Sequence, residues 1–199
     1  MTTKTLTGVI LAGGKSSRMG FDKFLLRLGG VSLLRSQIRQ LKTVCNEIFV
    51  VSDHEIPSNL TRGATVIPDI ISGKGPLSGL HATLSQNGVE TVWLVSCDMP
   101  KISIPFIEYT LDIHNKNREI PAIVAQNPEG FIEPFNALYT TAFLPFITQH
   151  ITSEKSALHR AIRSAPSLLL SSKDVHPFSP DWSLFASLNT QEDVENYTL

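Results

Sequence analysis

The chain has 199 residues, of which 42% are hydrophobic and 18% charged, and its formal net charge is −1. This composition suits a folded core and argues against a disordered chain, and the near-neutral charge argues against a general nucleic-acid-binding protein. With no 18-residue apolar run and no signal-peptide core near Met1, we expect no membrane segment and a cytoplasmic protein with one domain over residues 1–199.

The first predicted element is a buried strand over Leu6 to Ala12, which runs into a glycine-rich loop. Gly13 and Gly14 lack a Cβ atom, so their backbone N–H groups can come close to a ligand. The loop then adds three cations, which are Lys15, Arg18 and Lys23. Backbone N–H groups beside cations are typical of a site for a polyphosphate.

The loop matches neither of two common phosphate-binding fingerprints. Val9 stands where the nucleoside-triphosphatase loop requires a glycine, and Lys15 stands where the dinucleotide fingerprint requires one. From these residues alone, a solvated basic loop without a ligand remains an alternative.

Helix and strand patterns then alternate along the chain. The predicted elements are helices over Val31 to Val44, Leu77 to Gln86 and Ser103 to Lys116, and strands over Glu47 to Ser52, Ala64 to Ile67 and Thr91 to Ser96. The alternating order predicts a mostly parallel sheet with helices on both faces.

The second half predicts one antiparallel excursion. Strands over Ala122 to Ala125 and Asn136 to Tyr139 flank a turn at Asn127 to Gly130. A further short strand is predicted over Leu168 to Leu170. A closing helix is predicted over Thr190 to Tyr197, with Thr190 as its N-cap.

Two carboxylates follow predicted strands at the edge where open α/β sheets bind ligands. Asp98 comes directly after the strand that ends near Cys97, and it can hold Mg²⁺, which takes its other ligands from water and phosphates. A helix N-cap is the alternative role for Asp98. Asp69 precedes a glycine-rich loop and could accept hydrogen bonds from the N1–H and N2 amine of guanine; an ordinary β-α loop is the alternative there.

Other chemistries find no support in the sequence. Cys45 and Cys97 have no zinc-binding spacing, and we expect two buried free thiols. The six histidines show no metalloprotease spacing, and no nucleophile elbow for acyl transfer is present.

The loop Leu11-Ala-Gly-Gly-x-Ser-x-Arg-Met-Gly-x-Asp-Lys23 resembles the signature loop of nucleotidyltransferases with a Rossmann-like fold. Its Asp-Lys ending is most similar to the molybdenum cofactor guanylyltransferases. Four later segments resemble the same family: Asp69 with Gly75-Pro-Leu-Ser-Gly79, Ser96 to Pro100, Pro134 to Tyr139 and Leu188 to Asp193.

This resemblance implies a Rossmann-like three-layer α/β sandwich of the nucleotide-diphospho-sugar transferase type. It implies an Mg²⁺-dependent transferase that moves GMP from GTP to the phosphate of molybdopterin, the organic part of the molybdenum cofactor, and releases pyrophosphate. Other cofactor-biosynthesis proteins and molybdoenzymes are implied as further partners.

The resemblance also implies site residues. Those implied in catalysis are Arg18, Lys23 and Asp98, with Asp98 also on Mg²⁺. Those implied in nucleotide binding are Leu11, Ala12, Gly13, Gly14, Lys23, Ser52, Asp69 and Asp98. Some family members carry an asparagine at the end of the second strand, where this chain has Ser52.

Three other functions stay open at this point. They are a cytidylyltransferase acting on the same pterin, a nucleotidyltransferase with another acceptor phosphate, and a nucleotide-binding protein without catalysis. The segment from Phe131 to Tyr139 and the irregular stretch from Ser156 are the candidates for the acceptor side.

Overall fold

The computed structural model describes residues 6–13, 22–69, 71, 74–152 and 157–197. Its strands are β1 (Leu6–Leu11), β2 (Arg27–Leu28), β3 (Val31–Ser32), β4 (Glu47–Val51), β5 (Thr65–Ile67), β6 (Thr91–Ser96), β7 (Ala122–Gln126), β8 (Ile132–Thr140) and β9 (Leu168–Leu170). Its helices are α1 (Leu33–Leu41), α2 (Ser58–Thr61), α3 (Pro76–Leu84), α4 (Ile104–Lys116), α5 (Leu144–Ile151), α6 (Leu158–Ser164), α7 (Ser172–Val175) and α8 (Gln191–Tyr197).

Seven strands form one sheet in the order β5-β4-β1-β6-β8-β7-β9. Within that sheet β8 runs antiparallel to both of its neighbours, and the remaining pairs are parallel. The chain adds β4 and β5 on one side of β1 and then crosses to the other side for β6. The strand order therefore reverses at β1, the position where open α/β sheets form a ligand-binding crevice.

Helices cover both faces of this sheet, which confirms the predicted three-layer α/β sandwich. Alternate residues of β1 point to opposite faces: Ile10 packs in the cluster that includes α1 and α4, and Val9 packs in the cluster that includes α3, α5 and α6. No helix within the described residues is both long enough and apolar enough to cross a bilayer.

The predicted elements agree with most of the observed ones to within a few residues. Strand β6 has the predicted bounds, and α4 differs only because Ser103 is its N-cap, whose hydroxyl accepts from the Phe106 N–H at 3.3 Å. The hairpin of β7 and β8 confirms the antiparallel excursion. At its turn the Asn127 side chain accepts from the N–H groups of Glu129 and Phe131.

The helix predicted over Val31 to Val44 is wrong at both ends, because α1 spans Leu33–Leu41. Val31 pairs with Leu28 in the β2–β3 hairpin, whose turn contains Gly29 and Gly30 at φ of +55° and +78°. These left-handed conformations suit glycine and allow a tight two-residue turn. Ser32 then caps α1 by accepting from the Arg35 N–H, so the helix begins two residues later than its apolar pattern indicates.

Helices α5 and α6 were not anticipated from the sequence. Ile147 and Ile151 of α5 and Leu158 and Ile162 of α6 are buried in the same cluster as α3. The two helices thereby close the face of the sheet that carries α3.

Both cysteines are buried free thiols, as expected. Burial raises the pKa of Cys45 to about 12, and burial together with the neighbouring Asp98 carboxylate raises the pKa of Cys97 well above its usual value.

We expect neither thiol to react with Ellman's reagent in the native protein at pH 8, because access is blocked and the reactive thiolate is scarce. Both should react within minutes in guanidinium chloride, measured as released thionitrobenzoate. One or more rapidly reacting thiols per native chain would contradict the placement of these side chains.

Gly8 lies where β1 passes beneath α1. A Cβ atom there would lie 2.7 Å from Ile48 Cδ1, 3.2 Å from Cys45 Sγ and 3.3 Å from Leu41 Cδ1. We expect Gly8→Ala to lower the free energy of unfolding by about 1–3 kcal/mol, because three buried neighbours must move. Chemical denaturation measures this change.

Gly13→Ala is the matched control. Among the described residues its Cβ atom would meet its nearest neighbours at 3.9 Å, so we expect the free energy of unfolding to change by less than about 0.5 kcal/mol. Equal stability losses in the two variants would contradict the packing of β1 against α1.

Candidate functional site

The predicted ligand-binding residues that the structure describes come together at the carboxyl edge of four adjacent strands. Leu11 pairs with Val51 on one side and with Ser96 on the other. Beyond these pairs the Ala12 N–H donates to Val51 O at 2.8 Å, and the Cys97 N–H donates to Leu11 O at 3.0 Å. The segments that follow β1, β4 and β6 are thereby held side by side.

Lys23 and Asp98 form an ion pair at this edge. Lys23 comes from a short 3₁₀ segment after the glycine-rich loop, and Asp98 directly follows β6. The Asp98 side chain is 6% exposed and that of Lys23 is 25% exposed. A carboxylate this deeply buried requires compensation, and Lys23 supplies it, so two of the three residues predicted to be catalytic are neighbours.

The C-terminal part of the chain completes this cluster. Lys23 Nζ donates to Asn189 Oδ1 at 3.0 Å, and the Leu188 N–H donates to Asp98 O at 2.9 Å. Asp193 in turn accepts from the N–H groups of Asn189 and Thr190 at 2.7 and 2.8 Å. These backbone hydrogen bonds lower the pKa of Asp193. The Asp193 N–H donates to the hydroxyl of Thr190, the predicted N-cap of α8.

The loop that carries Asp98 is also held by hydrogen bonds from helix α1. Gln37 of α1 is fully buried, and its amide donates to Ser96 O and Met99 O at 2.8 Å each. Asp98 Oδ1 is buried and accepts no hydrogen bond from a described residue. This oxygen is available to a cation or a ligand. Because Ser103 caps α4, the alternative role of Asp98 as that helix's cap is excluded.

Asp69 lies in the loop after β5 and is held by α3. The fully buried Ser78 hydroxyl donates to Asp69 Oδ1 and accepts from the Ile71 N–H at 3.0 Å. The structure thus places Asp69 at the same sheet edge as Asp98, two strands beyond β1.

Ser52 lies at the end of β4, as predicted, but its hydroxyl is used locally. It donates to His54 O and accepts from the His54 N–H, both at 3.0 Å. The side chain therefore shapes the turn after β4. A contact from Ser52 to a nucleotide stays a prediction.

The segment predicted for the acceptor side, Phe131 to Tyr139, lies mostly in β8, which pairs with β6. Between the pairs Ala125–Glu133 and Ile123–Leu138, β8 contains three more residues than β7, so the strand pairing is irregular there. Asn136 in this part of β8 has φ of +47° and donates to Leu184 O at 2.7 Å. Glu133 is half-buried, and this burial raises its pKa.

Several predicted residues lie outside the part of the chain that the structure describes. They include Gly14 and Arg18, and Ser156 at the start of the irregular stretch. In contrast, three residues that support the site were not singled out from the sequence: Gln37, Ser78 and Asn189. Ser78 and Asn189 each fall in a segment that resembles the family, whereas Gln37 had no such signal.

Comparison with known proteins gives concordant matches. A model of the MobA-like NTP transferase domain matches residues 8–169. The chain is 35% identical over 197 residues to a probable molybdenum cofactor guanylyltransferase from Peptoclostridium acidaminophilum, covering 96% of this chain and 88% of the relative. It is 36% identical over 197 residues to a molybdenum cofactor guanylyltransferase from Syntrophotalea carbinolica, covering 96% and 90%.

A solved structure shares the fold. The molybdopterin-guanine dinucleotide biosynthesis protein A from Archaeoglobus fulgidus superposes with a TM-score of 0.81 at 18% identity, covering 96% of this chain and 95% of that one.

Proposed function

Because this chain belongs to the MobA-like NTP transferase family, we propose that it transfers GMP from GTP to the phosphate of molybdopterin. The products are the guanine dinucleotide form of the cofactor and pyrophosphate. The names of the relatives support guanylyl transfer over cytidylyl transfer.

The observation that carries this proposal is the ion pair of Lys23 with the buried Asp98 at the reversal of strand order. The presence of both residues weighs against a binding protein without catalysis. A nucleotidyltransferase needs both, because it must gather negatively charged phosphates and offset their charge during transfer.

The reaction is a displacement at the α-phosphorus of GTP. An oxygen of the molybdopterin phosphate forms a bond to that phosphorus, the bond to the β-phosphate oxygen breaks, and pyrophosphate leaves. The attacking phosphate is already anionic at neutral pH, so no strong general base is required. We assign the alignment of the two phosphates to Lys23, Arg18 and the N–H groups of Gly13 and Gly14.

The residues present fit a magnesium ion. Asp98 Oδ1 is a buried carboxylate oxygen without a described partner, and Mg²⁺ in nucleotide sites is often held by one or two carboxylates together with phosphates and water. We propose that Asp98 holds Mg²⁺, which when bound supplies positive charge to the triphosphate. Lys23 pairs with the other Asp98 oxygen and lies close enough to act on the same phosphates.

We further propose that Asp69 reads the base. Guanine presents the N1–H and the N2 amine as adjacent donors, and an ionised carboxylate accepts from both. Adenine and cytosine present an acceptor at the corresponding ring nitrogen, which would leave a buried polar group unpaired. The cytoplasm is the proposed location, in keeping with two free thiols, and molybdoenzymes and other cofactor-biosynthesis proteins are the proposed partners.

Pyrophosphate release tests the reaction as a whole. We expect release with GTP in the presence of molybdopterin and little with GTP alone, and little with ATP or CTP in either case. A preference for CTP would show that the chain is a cytidylyltransferase. GTP binding without release, with molybdopterin present, would favour the non-catalytic alternative.

Asp98→Asn tests the metal assignment. We expect magnesium-dependent turnover to fall on the order of 10²-fold or more, because the charge of the metal ligand is lost at nearly constant volume. Turnover is followed across a magnesium titration, and the melting temperature confirms that the variant is folded.

Asp181→Asn serves as the control for Asp98→Asn. Asp181 is an exposed carboxylate that lies 3.9 Å from Lys101 Nζ. We expect this control to keep the activity of the unmodified protein. Near-normal turnover of Asp98→Asn at ordinary magnesium concentration would show that Asp98 does not hold the metal.

A further inference from the structure

The buried hydroxyl of Ser78 forms hydrogen bonds to the loop after β5 and not to the backbone of its own helix. Ser78 lies in the first turn of α3, is fully buried, and bridges the Asp69 carboxylate and the Ile71 N–H. Thr83 of the same helix is equally buried, but its hydroxyl donates to Gly79 O at 3.0 Å, one turn earlier. The two hydroxyls have the same burial and different partners.

The helix that carries Ser78 is fixed against the centre of the sheet. Leu77 and Leu80 of α3 are fully buried. A Cβ atom on Gly79 would lie only 2.7 Å from Leu11 Cδ2, so α3 approaches the end of β1 closely. The hydrogen bond from Ser78 therefore holds Asp69 to a helix that packs against Leu11, a predicted nucleotide-binding residue.

We propose that Ser78 is a positioning residue that orients the Asp69 carboxylate for recognition of the base. This inference rests on the proposed function, and it names a residue that contributes to the preference for guanine nucleotides. Recognition of adjacent N1–H and N2 donors needs a carboxylate in one orientation. A freely rotating carboxylate must be ordered on binding, which lowers affinity. Because one oxygen is held by Ser78, that ordering is already present in the unliganded protein.

The effect is specific to the base. The triphosphate is assigned to Lys23, Asp98 and the loop after β1, whereas the hydrogen bonds described for the Ser78 hydroxyl go to Asp69 and Ile71. Loss of the Ser78 hydroxyl should therefore weaken the binding of guanine nucleotides and leave the binding of adenine nucleotides nearly unchanged.

The experiment measures dissociation constants of GTP, ITP and ATP by calorimetry, with magnesium, on the full chain and its variants. ITP keeps the N1–H and lacks the N2 amine, so it reports on the second donor. We expect Ser78→Ala to weaken GTP binding on the order of 10-fold, to weaken ATP binding less than 3-fold and to lower the preference for GTP over ITP. In steady-state assays KM for GTP should rise more than kcat falls.

Thr83→Val is the matched control, because it removes a buried hydroxyl from the same helix at nearly constant volume. We expect this control to keep the full preference for GTP. A double-mutant cycle with Asp69→Ala separates positioning from a general structural effect. If Ser78 acts through Asp69, Ser78→Ala has no further effect on GTP binding once Asp69 is replaced.

Each outcome bears on the inference separately from the proposed function. An unchanged GTP preference in Ser78→Ala, or additive effects in the cycle, overturns the role of Ser78 while GMP transfer by the unmodified chain stands. Absence of GTP-dependent pyrophosphate release by the unmodified chain overturns the proposed function instead. If Ser78→Ala lowers the melting temperature sharply, Ser78→Cys replaces it, since the thiol is similar in size and a weaker donor; it should lose the same preference.

Discussion

Strand β1 is hydrogen-bonded along both edges, to β4 through residues 7–11 and to β6 through residues 6–11. Because both neighbours are parallel to it, all three strands end at the same edge, and the segments after them must lie together. Leu11 is the residue where the three strands end in register. Ala12 and Gly13 at the start of the glycine-rich loop, the turn at Ser52 and the loop of Asp98 are neighbours for this reason, although the chain separates them widely.

Burial of Asp98 places an electrostatic constraint on the rest of the site. A carboxylate with a 6% exposed side chain needs a cation, and Lys23 is held in turn by Asn189 from the C-terminal segment. The first and last parts of the described chain are thereby connected through one charge pair. Under the proposed function, a triphosphate brings further negative charge to this pair, and its binding must redistribute the contacts of Lys23 and Asp98.

The sequence predicted the parts of the fold that depend on local pattern. β6 was predicted to the residue, and Asp98 was placed correctly at its end, because a continuous apolar run that stops at a carboxylate is a strong signal. The start of α1 was misplaced because the Gly29–Gly30 turn was not recognised. Contacts such as that of Lys23 with Asn189 could not be predicted, since no spacing rule relates side chains so far apart. The same holds for Ser78, whose role is visible only through its hydrogen bonds to the loop after β5.

The central place of β1 also has a consequence for biosynthesis. β1 is made early, but its second edge cannot be covered until β6 has left the ribosome, which at about 5–20 residues per second takes several seconds. During that interval an apolar strand lacks a partner along one edge, a geometry that favours pairing with other chains. The free edge of β1 therefore stays open to pairing with other chains until β6 has emerged, and slower translation before β6 lengthens that interval.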